Sequence, residues 1–264
     1  MIKVFNSEVV VNHFPDGTQN IKVDQDFHTS FINVFWKYEN DAEMATLMYI
    51  KKHLEKKYKL INLIMPYIPN ARMDRVKNDN EVFSLKYFAE FINLLKFDMV
   101  KVFDPHSTVS EALIDNIITI SPEKLIQSAI SSTEVDSLFF PDEGAMKRYS
   151  NMATLPYTFG VKKRQWETGE ILGLDIAGDI KLIKDKNILI VDDICSRGGT
   201  FYFAAKKLKE LGAKDIHLCV SHCENTIYDG NLLDGELINK IWTTDSLKRE
   251  SHPKINVMPI EEVM

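Results

Sequence analysis

The residues with the clearest chemical potential lie near position 192. Two adjacent carboxylates, Asp192 and Asp193, follow the apolar run 188–191. A continuous β-branched run bounded by turn residues predicts a buried strand of a parallel sheet. Ligands bind at the carboxyl ends of such strands. The two carboxylates are therefore in a position to hold sugar hydroxyls or a metal ion.

A short segment of small residues, 196–200, follows the carboxylates and opens into a helical pattern. Its glycines allow backbone N–H groups to approach a phosphate closely, and a helix N-terminus favours an anion. The segment therefore predicts a site for a ribose phosphate. The alternative is an ordinary strand–turn–helix corner with a capped start. The segment does not fit the P-loop pattern, because no GxxxxGK[ST] motif is present, and no GxGxxG motif occurs either.

Three further apolar runs are each followed by charged residues. Arg72 and Asp74 follow one run, Asp104 and His106 a second, and Asp142 a third. An Asp and a His two positions apart at a strand end can hold a divalent cation. The competing interpretations are a solvated loop around Arg72 and a capping Asp with a surface His.

The basic segment 157–171 interrupts the alternation of helices and strands. Lys162, Lys163 and Arg164 lie there between two glycines. One interpretation is a surface β-hairpin. The other is a mobile lid whose cations reach a triphosphate.

A group of metal-binding residue types lies between positions 217 and 223. It contains His217, Cys219, His222 and Cys223. A zinc site is disfavoured, because zinc sites usually bring two spaced pairs of ligands that close a loop. Packing within a strand is the preferred interpretation.

The elements that would position these residues alternate between strands and helices, which predicts an α/β fold. A turn at Pro15-Asp16-Gly17 predicts a hairpin. The predicted strands occupy residues 2–11, 31–36, 60–65, 99–103, 117–120, 137–140, 188–191 and 216–220, with short strands after them. Helices are predicted after Asn40-Asp41, over 84–96 and after Ser121.

The two halves of the chain resemble each other. LIMPYIPNARMDR matches LFFPDEGAMKRYS in outline, and VKVFDPHSTVSEAL matches ILIVDDICSRGGTF. Two copies of one strand–helix unit predict domains at residues 1–120 and 121–264.

Composition restricts the possible partners. The chain has 264 residues, of which 45% are hydrophobic and 27% charged, with a net charge of −6. This charge gives no support for nucleic acid or an anionic membrane as a partner. Three cysteines do not indicate a disulfide scaffold. With no signal peptide pattern and no long apolar run, a cytoplasmic protein is expected.

Seven stretches resemble, in order and over nearly the whole chain, segments of the ribose-phosphate diphosphokinase (PRPP synthetase) family. They are FPDG, NARMDR, FDPHS, PDEGAMKR, KKR, VDDICSRGGT and IWTTDSL. Simple phosphoribosyltransferases share only the VDDICSRGGT loop.

The resemblance implies two tandem phosphoribosyltransferase-like domains, each a mostly parallel sheet flanked by helices, with the active site between them. The N-terminal domain would be the ATP side and the C-terminal domain the ribose-phosphate side. The implied reaction transfers the diphosphate of ATP to the anomeric hydroxyl of ribose 5-phosphate, giving PRPP and AMP. Mg²⁺ and a homo-oligomer, either a dimer or a hexamer, are also implied.

The resemblance also implies roles for individual residues. Lys162 and Arg164 would be catalytic, with Lys163 as the alternative to Lys162. The residues implied for ATP binding are Asp16, Arg72, Asp74 and His106. Those implied for ribose-phosphate binding are Asp192, Asp193, Ser196, Arg197, Gly198, Gly199 and Thr200. His106 and Asp142 would be magnesium ligands.

The chain departs from the family pattern at three places. Thr18 stands where a Glu is expected, Met73 replaces the usual Gln, and Ser196-Arg197 replaces an acid followed by a small residue. The last change makes the pocket more positive, so ADP-ribose is an alternative acceptor, which would give ADP-ribose pyrophosphate. Less favoured alternatives are a base phosphoribosyltransferase and an inactive regulatory homologue.

Overall fold

The protein forms two compact units, residues 1–120 with Met264 and residues 121–263, in a computed structural model. The structure describes residues 1–23, 29–164, 171–247 and 250–264. For 162–164 and 171–174 it describes the backbone alone.

The first unit is built on a six-stranded sheet of order β2-β1-β5-β6-β7-β8, in which β1 is antiparallel to its neighbours and β5 to β8 are parallel. A separate antiparallel hairpin pairs β3 with β4. The strands are β1 Ile2–Val4, β2 Ser7–Glu8, β3 Val10–His13, β4 Gln19–Lys22, β5 Phe31–Trp36, β6 Leu60–Met65, β7 Met99–Phe103 and β8 Ile117–Ile120.

The helices of the first unit are α1 Ala42–Leu54, α2 Ser84–Leu94 and α3 Thr108–Leu113. Alternate residues of the central strands are buried, as the period-2 pattern requires. These residues and the apolar faces of α1 and α2 form one core, which includes Val34, Leu63, Leu47 and Phe88. The core therefore fixes the strand ends from which the candidate residues of this unit emerge.

The second unit is built on a seven-stranded sheet of order β11-β10-β9-β12-β13-β14-β15. Every neighbouring pair is parallel except β10 with β11, which is antiparallel. The strands are β9 Ser137–Phe140, β10 Tyr157–Arg164, β11 Ile171–Ala177, β12 Ile188–Cys195, β13 Ile216–Cys223, β14 Lys240–Thr244 and β15 Ile255–Met258.

Helices of the second unit pack on both faces of its sheet. They are α4 Glu123–Ser131, α5 Glu143–Tyr149, α6 Gly199–Glu210 and α7 Ile260–Val263, with short 3-10 helices at Ile180–Leu182 and Asn225–Asp229. One core packs α6 against the sheet through residues such as Ile190 and Leu208. A second core packs α4 and α5 on residues such as Leu189 and Val191. Both faces of β12 are therefore buried, as its apolar sequence predicts.

The predicted α/β fold, with mostly parallel sheets flanked by helices, is confirmed. The strands predicted at 31–36, 60–65, 99–103, 117–120 and 137–140 have the predicted bounds. The helix predicted over 84–96 ends at Leu94. Lys96 has a left-handed φ of +51°, which a helix cannot continue through.

Three predictions of strand bounds were wrong, and one of them is the strand predicted over 216–220, which continues to Cys223. The strand predicted over 2–11 is divided into β1, β2 and β3, because Phe5 has a left-handed φ of +55°. The strand predicted over 188–191 continues to Cys195, because its carboxyl end pairs with an equally extended β13, with Ile194 opposite His222. Asp192 and Asp193 are therefore strand residues and not loop residues.

Across the described ranges, no helix is both long enough and apolar enough to cross a membrane.

Candidate active site

The carboxyl end of β12 carries the two predicted carboxylates on opposite faces of the sheet, as strand alternation requires. Asp193 is buried, whereas Asp192 is half-buried. The Asp193 carboxylate accepts a hydrogen bond from the backbone N–H of Ile194 at 2.8 Å. The Asp192 carboxylate accepts one from the N–H of Asp193 at 3.0 Å. These local contacts fix both side chains at the strand end.

Arg148 compensates the charge of Asp193. Its guanidinium lies 3.4 Å from the Asp193 carboxylate, and its side chain is 30% exposed. Arg148 belongs to α5, which begins just after β9, the parallel neighbour of β12. The sequence reasoning gave Arg148 no role. The available signal was its place at the end of the PDEGAMKR stretch, six residues after Asp142.

Asp192 is electrostatically strained. Burial of the carboxylate, reinforced by the negative charges of Asp193 and Asp142, raises the pKa of Asp192 well above its usual value. Asp142 caps α5 by accepting a hydrogen bond from the N–H of Ala145 at 3.1 Å. The structure thus brings Asp142, Asp192 and Asp193 into one electrostatic neighbourhood that favours a cation or a hydroxyl-bearing ligand.

The loop between β12 and α6, residues 196–198, is called the β12–α6 loop below. It ends at Gly198, whose φ of +78° is left-handed. A Cβ atom at Gly198 would overlap the side chain of Leu232. Arg197, Gly199 and Thr200 are exposed. Since α6 has 12 residues, its exposed N-terminus has the N–H groups and the dipole that favour a phosphate.

The β12–α6 loop lies against the segment that follows β13. The hydroxyl of Ser196 lies 2.9 Å from the hydroxyl of Thr226, which in turn donates to the Glu224 carboxylate at 3.2 Å. The backbone N–H of Glu224 donates to the carbonyl of Cys195 at 2.9 Å. Sequence reasoning missed Thr226 and Glu224, because neither lies in a motif that it quoted.

Asp16, Arg72 and Asp74, three predicted ATP-binding residues, lie in the first unit. Asp16 lies in the turn between β3 and β4 and accepts hydrogen bonds from the N–H and hydroxyl of Thr18, at 2.9 and 2.7 Å. These two bonds lower the pKa of Asp16 and keep it ionised. The Thr18 that replaces the expected Glu therefore orients Asp16. Arg72 is exposed, and Asp74 lies 3.2 Å from the guanidinium of Arg75.

His106 follows β7, also in the first unit, and is half-buried. The chain turns sharply just before it, because Asp104 has a left-handed φ of +39°. A non-glycine residue in this region is uncommon, and such strain concentrates at functional sites. The second predicted metal ligand, Asp142, belongs to the other unit. In the described ranges, no group of three or more His, Cys, Asp and Glu side chains is arranged to hold a metal ion.

Lys162, Lys163 and Arg164 are the last residues of β10, where Lys162 pairs with Leu174 of β11. Their side chains lie outside the described part of the structure. The basic segment is thus an antiparallel strand pair up to residue 164 and from residue 171 onward.

The four residues considered for zinc serve packing in β13. The ring of His217 meets that of Trp242 edge-on at 5.5 Å, and Cys219 belongs to the core of α4 and α5. His222 lies 2.7 Å from the hydroxyl of Ser246. Cys223 lies opposite Cys195 of β12 in the sheet, and both are free thiols. A hydrogen bond between the two thiols, together with burial, raises the pKa of Cys195. The interpretation of this group as strand packing is supported.

The variant Asp192→Asn is expected to stabilise the ligand-free protein. Because the pKa of Asp192 is raised in the folded state, the folded protein loses stability as the pH rises and this carboxyl ionises. The stabilisation by Asp192→Asn should therefore be small at pH 5 and larger at pH 8. A rise in Tm of about 2–4 °C at pH 8 would correspond to roughly 1 kcal/mol. Thermal unfolding at both pH values measures it.

Asp193→Asn is the matched control. Because it removes the partner of Arg148, it should lower the Tm. An Asp192→Asn protein that is less stable than the parent at pH 8 would contradict the electrostatic account.

Gly198→Ala and Gly199→Ala test the packing of the β12–α6 loop. A Cβ at Gly198 meets Leu232 in a left-handed conformation, whereas a Cβ at Gly199 meets nothing within 4 Å. Gly198→Ala should lower the free energy of unfolding by more than ~1 kcal/mol, and Gly199→Ala should not lower it. Urea titrations of both variants decide this, and equal effects would contradict the observed packing.

Comparison with known proteins places this geometry in a family. The model of the phosphoribosyl transferase domain matches residues 147–249, which include the whole β12–α6 loop. A phosphoribosylpyrophosphate synthetase from Mycobacterium smegmatis shares the fold, with a TM-score of 0.76 at 20% identity, covering 97% of this chain and 87% of that one.

The sequence relatives are more specific. The ribose-phosphate pyrophosphokinase of Campylobacter jejuni is 26% identical, covering 97% of this chain and 85% of its own length. That of Thermococcus kodakarensis is 31% identical over 224 residues, covering 81% of this chain and 77% of its own. The order of motifs, the architecture and these relatives agree, and the chain belongs to the ribose-phosphate pyrophosphokinase family.

Proposed function

We propose that the protein transfers the diphosphate of ATP to the anomeric hydroxyl of ribose 5-phosphate, giving PRPP and AMP. The observation that carries this proposal is the end of β12. There a carboxylate pair and a glycine-containing loop at a helix N-terminus lie together in a chain of the ribose-phosphate pyrophosphokinase family. The carboxylates suit the ribose hydroxyls, and the loop suits the 5-phosphate.

The second unit would bind ribose 5-phosphate. Asp192 and Asp193 would accept hydrogen bonds from the sugar hydroxyls, while residues 197–200 would donate to the phosphate oxygens. Binding of hydroxyls would relieve the electrostatic strain on Asp192, because hydrogen bonds stabilise the ionised form of a carboxylate. The side chain of Arg148, 3.4 Å from the Asp193 carboxylate, would orient it for this role.

The first unit would bind ATP. Asp16, Arg72, Asp74 and His106 all lie there, and Arg72 is exposed. An exposed guanidinium suits phosphate, because its planar fork can donate two hydrogen bonds to one anion. Asp16, held ionised by Thr18, is suited to accept hydrogen bonds from a ligand.

Phosphoryl transfer depends on alignment and charge neutralisation more than on covalent help from the protein. In the proposed step, the anomeric oxygen forms a bond to the β-phosphorus of ATP, and the bond from that phosphorus to the α,β-bridging oxygen breaks. AMP leaves with the electron pair, and the hydroxyl proton is released. Lys162 and Arg164 would stabilise the charge that develops on the transferred group, Lys as a point charge and Arg by its fork.

The acidic neighbourhood at β12 would attract a divalent cation, because burial and then the neighbouring negative charges raise the pKa of Asp192. Mg²⁺ prefers oxygen ligands and usually takes few of them from the protein. His106 and Asp142 are its proposed protein ligands. When bound, Mg²⁺ would neutralise charge on the phosphates.

We further propose a homo-oligomer, a dimer or a hexamer, in which the loop around Asp16 reaches the ATP site of a neighbouring subunit. We also propose that the protein works in the cytoplasm, where ATP is available.

The alternatives are less well supported. The relatives' names specify ribose phosphate and give no support to ADP-ribose as the acceptor. Membership of this family also disfavours a phosphoribosyltransferase that acts on a base.

The acceptor is tested by incubating the protein with ATP, Mg²⁺ and one acceptor at a time, and by measuring AMP release. We expect release with ribose 5-phosphate and at most background with ribose or without an acceptor. Faster release with ADP-ribose than with ribose 5-phosphate would contradict the proposed acceptor.

Lys162→Ala should lower kcat by roughly two orders of magnitude or more, because it removes a cation that stabilises transition-state charge. Lys163→Ala is the matched control, since it removes the same charge from the adjacent residue of the same strand, and its effect should be much smaller. Steady-state AMP release measures both. The reverse order of effects would assign the catalytic role to Lys163, and two unimpaired variants would contradict the role of this segment.

A further inference from the structure

We propose that Thr226 and Glu224 are positioning residues for the β12–α6 loop, and that the Ser196 hydroxyl anchors this loop and does not donate to the substrate phosphate. The inference rests on the proposed function, which makes the loop part of the 5-phosphate site. Thr226 and Glu224 lie outside the family motifs, whereas Ser196 lies inside one of them and has a different role from the one that the resemblance implies.

The first observation is a continuous chain of hydrogen bonds. The hydroxyl oxygens of Ser196 and Thr226 lie 2.9 Å apart. The Thr226 hydroxyl donates to a carboxylate oxygen of Glu224 at 3.2 Å. These hydrogen bonds therefore link Ser196, the first residue of the β12–α6 loop, to the carboxylate of Glu224, which follows the neighbouring strand β13.

The number of hydroxyl protons determines which group donates in each of these hydrogen bonds. A hydroxyl has one proton to donate, and an ionised carboxylate can only accept. Since Thr226 gives its proton to Glu224, the 2.9 Å contact between the hydroxyls can be a hydrogen bond only if Ser196 is the donor. The only proton of the Ser196 hydroxyl is then committed to Thr226.

This direction has a consequence for phosphate binding. The oxygens of a phosphate dianion are acceptors, so each contact from the protein must come from a donor. The Ser196 hydroxyl could donate to the phosphate only by breaking its bond to Thr226. Exposed Thr200, together with backbone N–H groups at the start of α6, remains available to donate.

The second observation is that the same segment supports the loop through its backbone. The N–H of Glu224 donates to the carbonyl of Cys195 at 2.9 Å. A Cβ at Gly230 would overlap the carbonyl oxygen of Arg197, and a Cβ at Gly198 would overlap Leu232. Residues 224–232 thus form the floor of the β12–α6 loop, and the hydrogen-bond chain fixes one end of that floor.

Hydrogen bonds to Glu250 also hold this floor, residues 224–232, in place. The Asn225 side chain accepts a hydrogen bond from the N–H of Glu250 at 3.1 Å, and the Tyr228 hydroxyl donates to the carbonyl of Glu250 at 2.9 Å. Because the floor is fixed at both sides, loss of the Ser196–Thr226 bond is expected to loosen the loop and leave the fold intact.

A double-mutant cycle on Ser196→Ala and Thr226→Val tests the inference, with the KM for ribose 5-phosphate as the main readout. Each single variant should raise this KM roughly two- to tenfold, the effect of one lost hydrogen bond. The double variant should be no worse than the worse single variant, because both remove the same interaction. The KM for ATP should stay unchanged, and kcat should change by less than about twofold.

Two further variants separate positioning from a general loss of stability. Thr226→Ser retains the hydroxyl and should restore the KM for ribose 5-phosphate. Thr133→Val removes a threonine hydroxyl that donates to the carbonyl of Ala129 in α4, away from the loop, and should leave this KM unchanged.

Effects that multiply in the double variant would overturn the inference, because Ser196 would then contact the phosphate independently of Thr226. Unchanged KM values in both single variants would overturn it as well. Wild-type protein that forms no PRPP would refute the proposed function, and the same cycle would then be measured as Kd for ribose 5-phosphate by calorimetry. Wild-type protein that binds no ribose 5-phosphate would overturn both.

Discussion

The burial of carboxylates beside one another at the end of β12 is the constraint on which the candidate site depends. Asp192 and Asp193 are adjacent, Asp142 contributes a third negative charge, and burial removes much of the water that would screen them. Arg148 compensates one of these charges. The remaining charge makes the ligand-free site unfavourable and hence receptive to sugar hydroxyls or a cation. A fold optimised only for stability would not place these groups together, which is why they indicate function.

The second requirement is a close approach of backbones beside these carboxylates. Gly198 and Gly230 allow the β12–α6 loop to lie on the segment after β13, and the Ser196–Thr226–Glu224 chain fixes its first residue. A phosphate site made largely of N–H groups depends on this arrangement, because the directions of the donors follow the backbone. The sheet supplies the rigid base, since β12 pairs with β9 on one side and with β13 on the other.

Sequence reasoning succeeded where local pattern determines structure. The apolar runs at 31–36 and 60–65 gave strands with the right bounds, because their alternation matches a half-buried strand. It ended β12 too early, because paired carboxylates resemble a loop unless the partner strand is known. Arg148 and Thr226 were missed for a related reason. Arg148 lies 45 residues from Asp193, and Thr226 lies 30 residues from Ser196, so only the folded sheet brings each pair together.

The central claim is that an intact diphosphate moves from ATP to carbon 1 of ribose 5-phosphate. Phosphorus-31 NMR of the reaction with ATP and Mg²⁺ tests it most directly, because it distinguishes a sugar-linked diphosphate from free diphosphate and from ADP. The account predicts AMP and PRPP in equal amounts, with both transferred phosphorus atoms on the sugar. Formation of ADP, or of AMP with free diphosphate from the first turnovers, would contradict it.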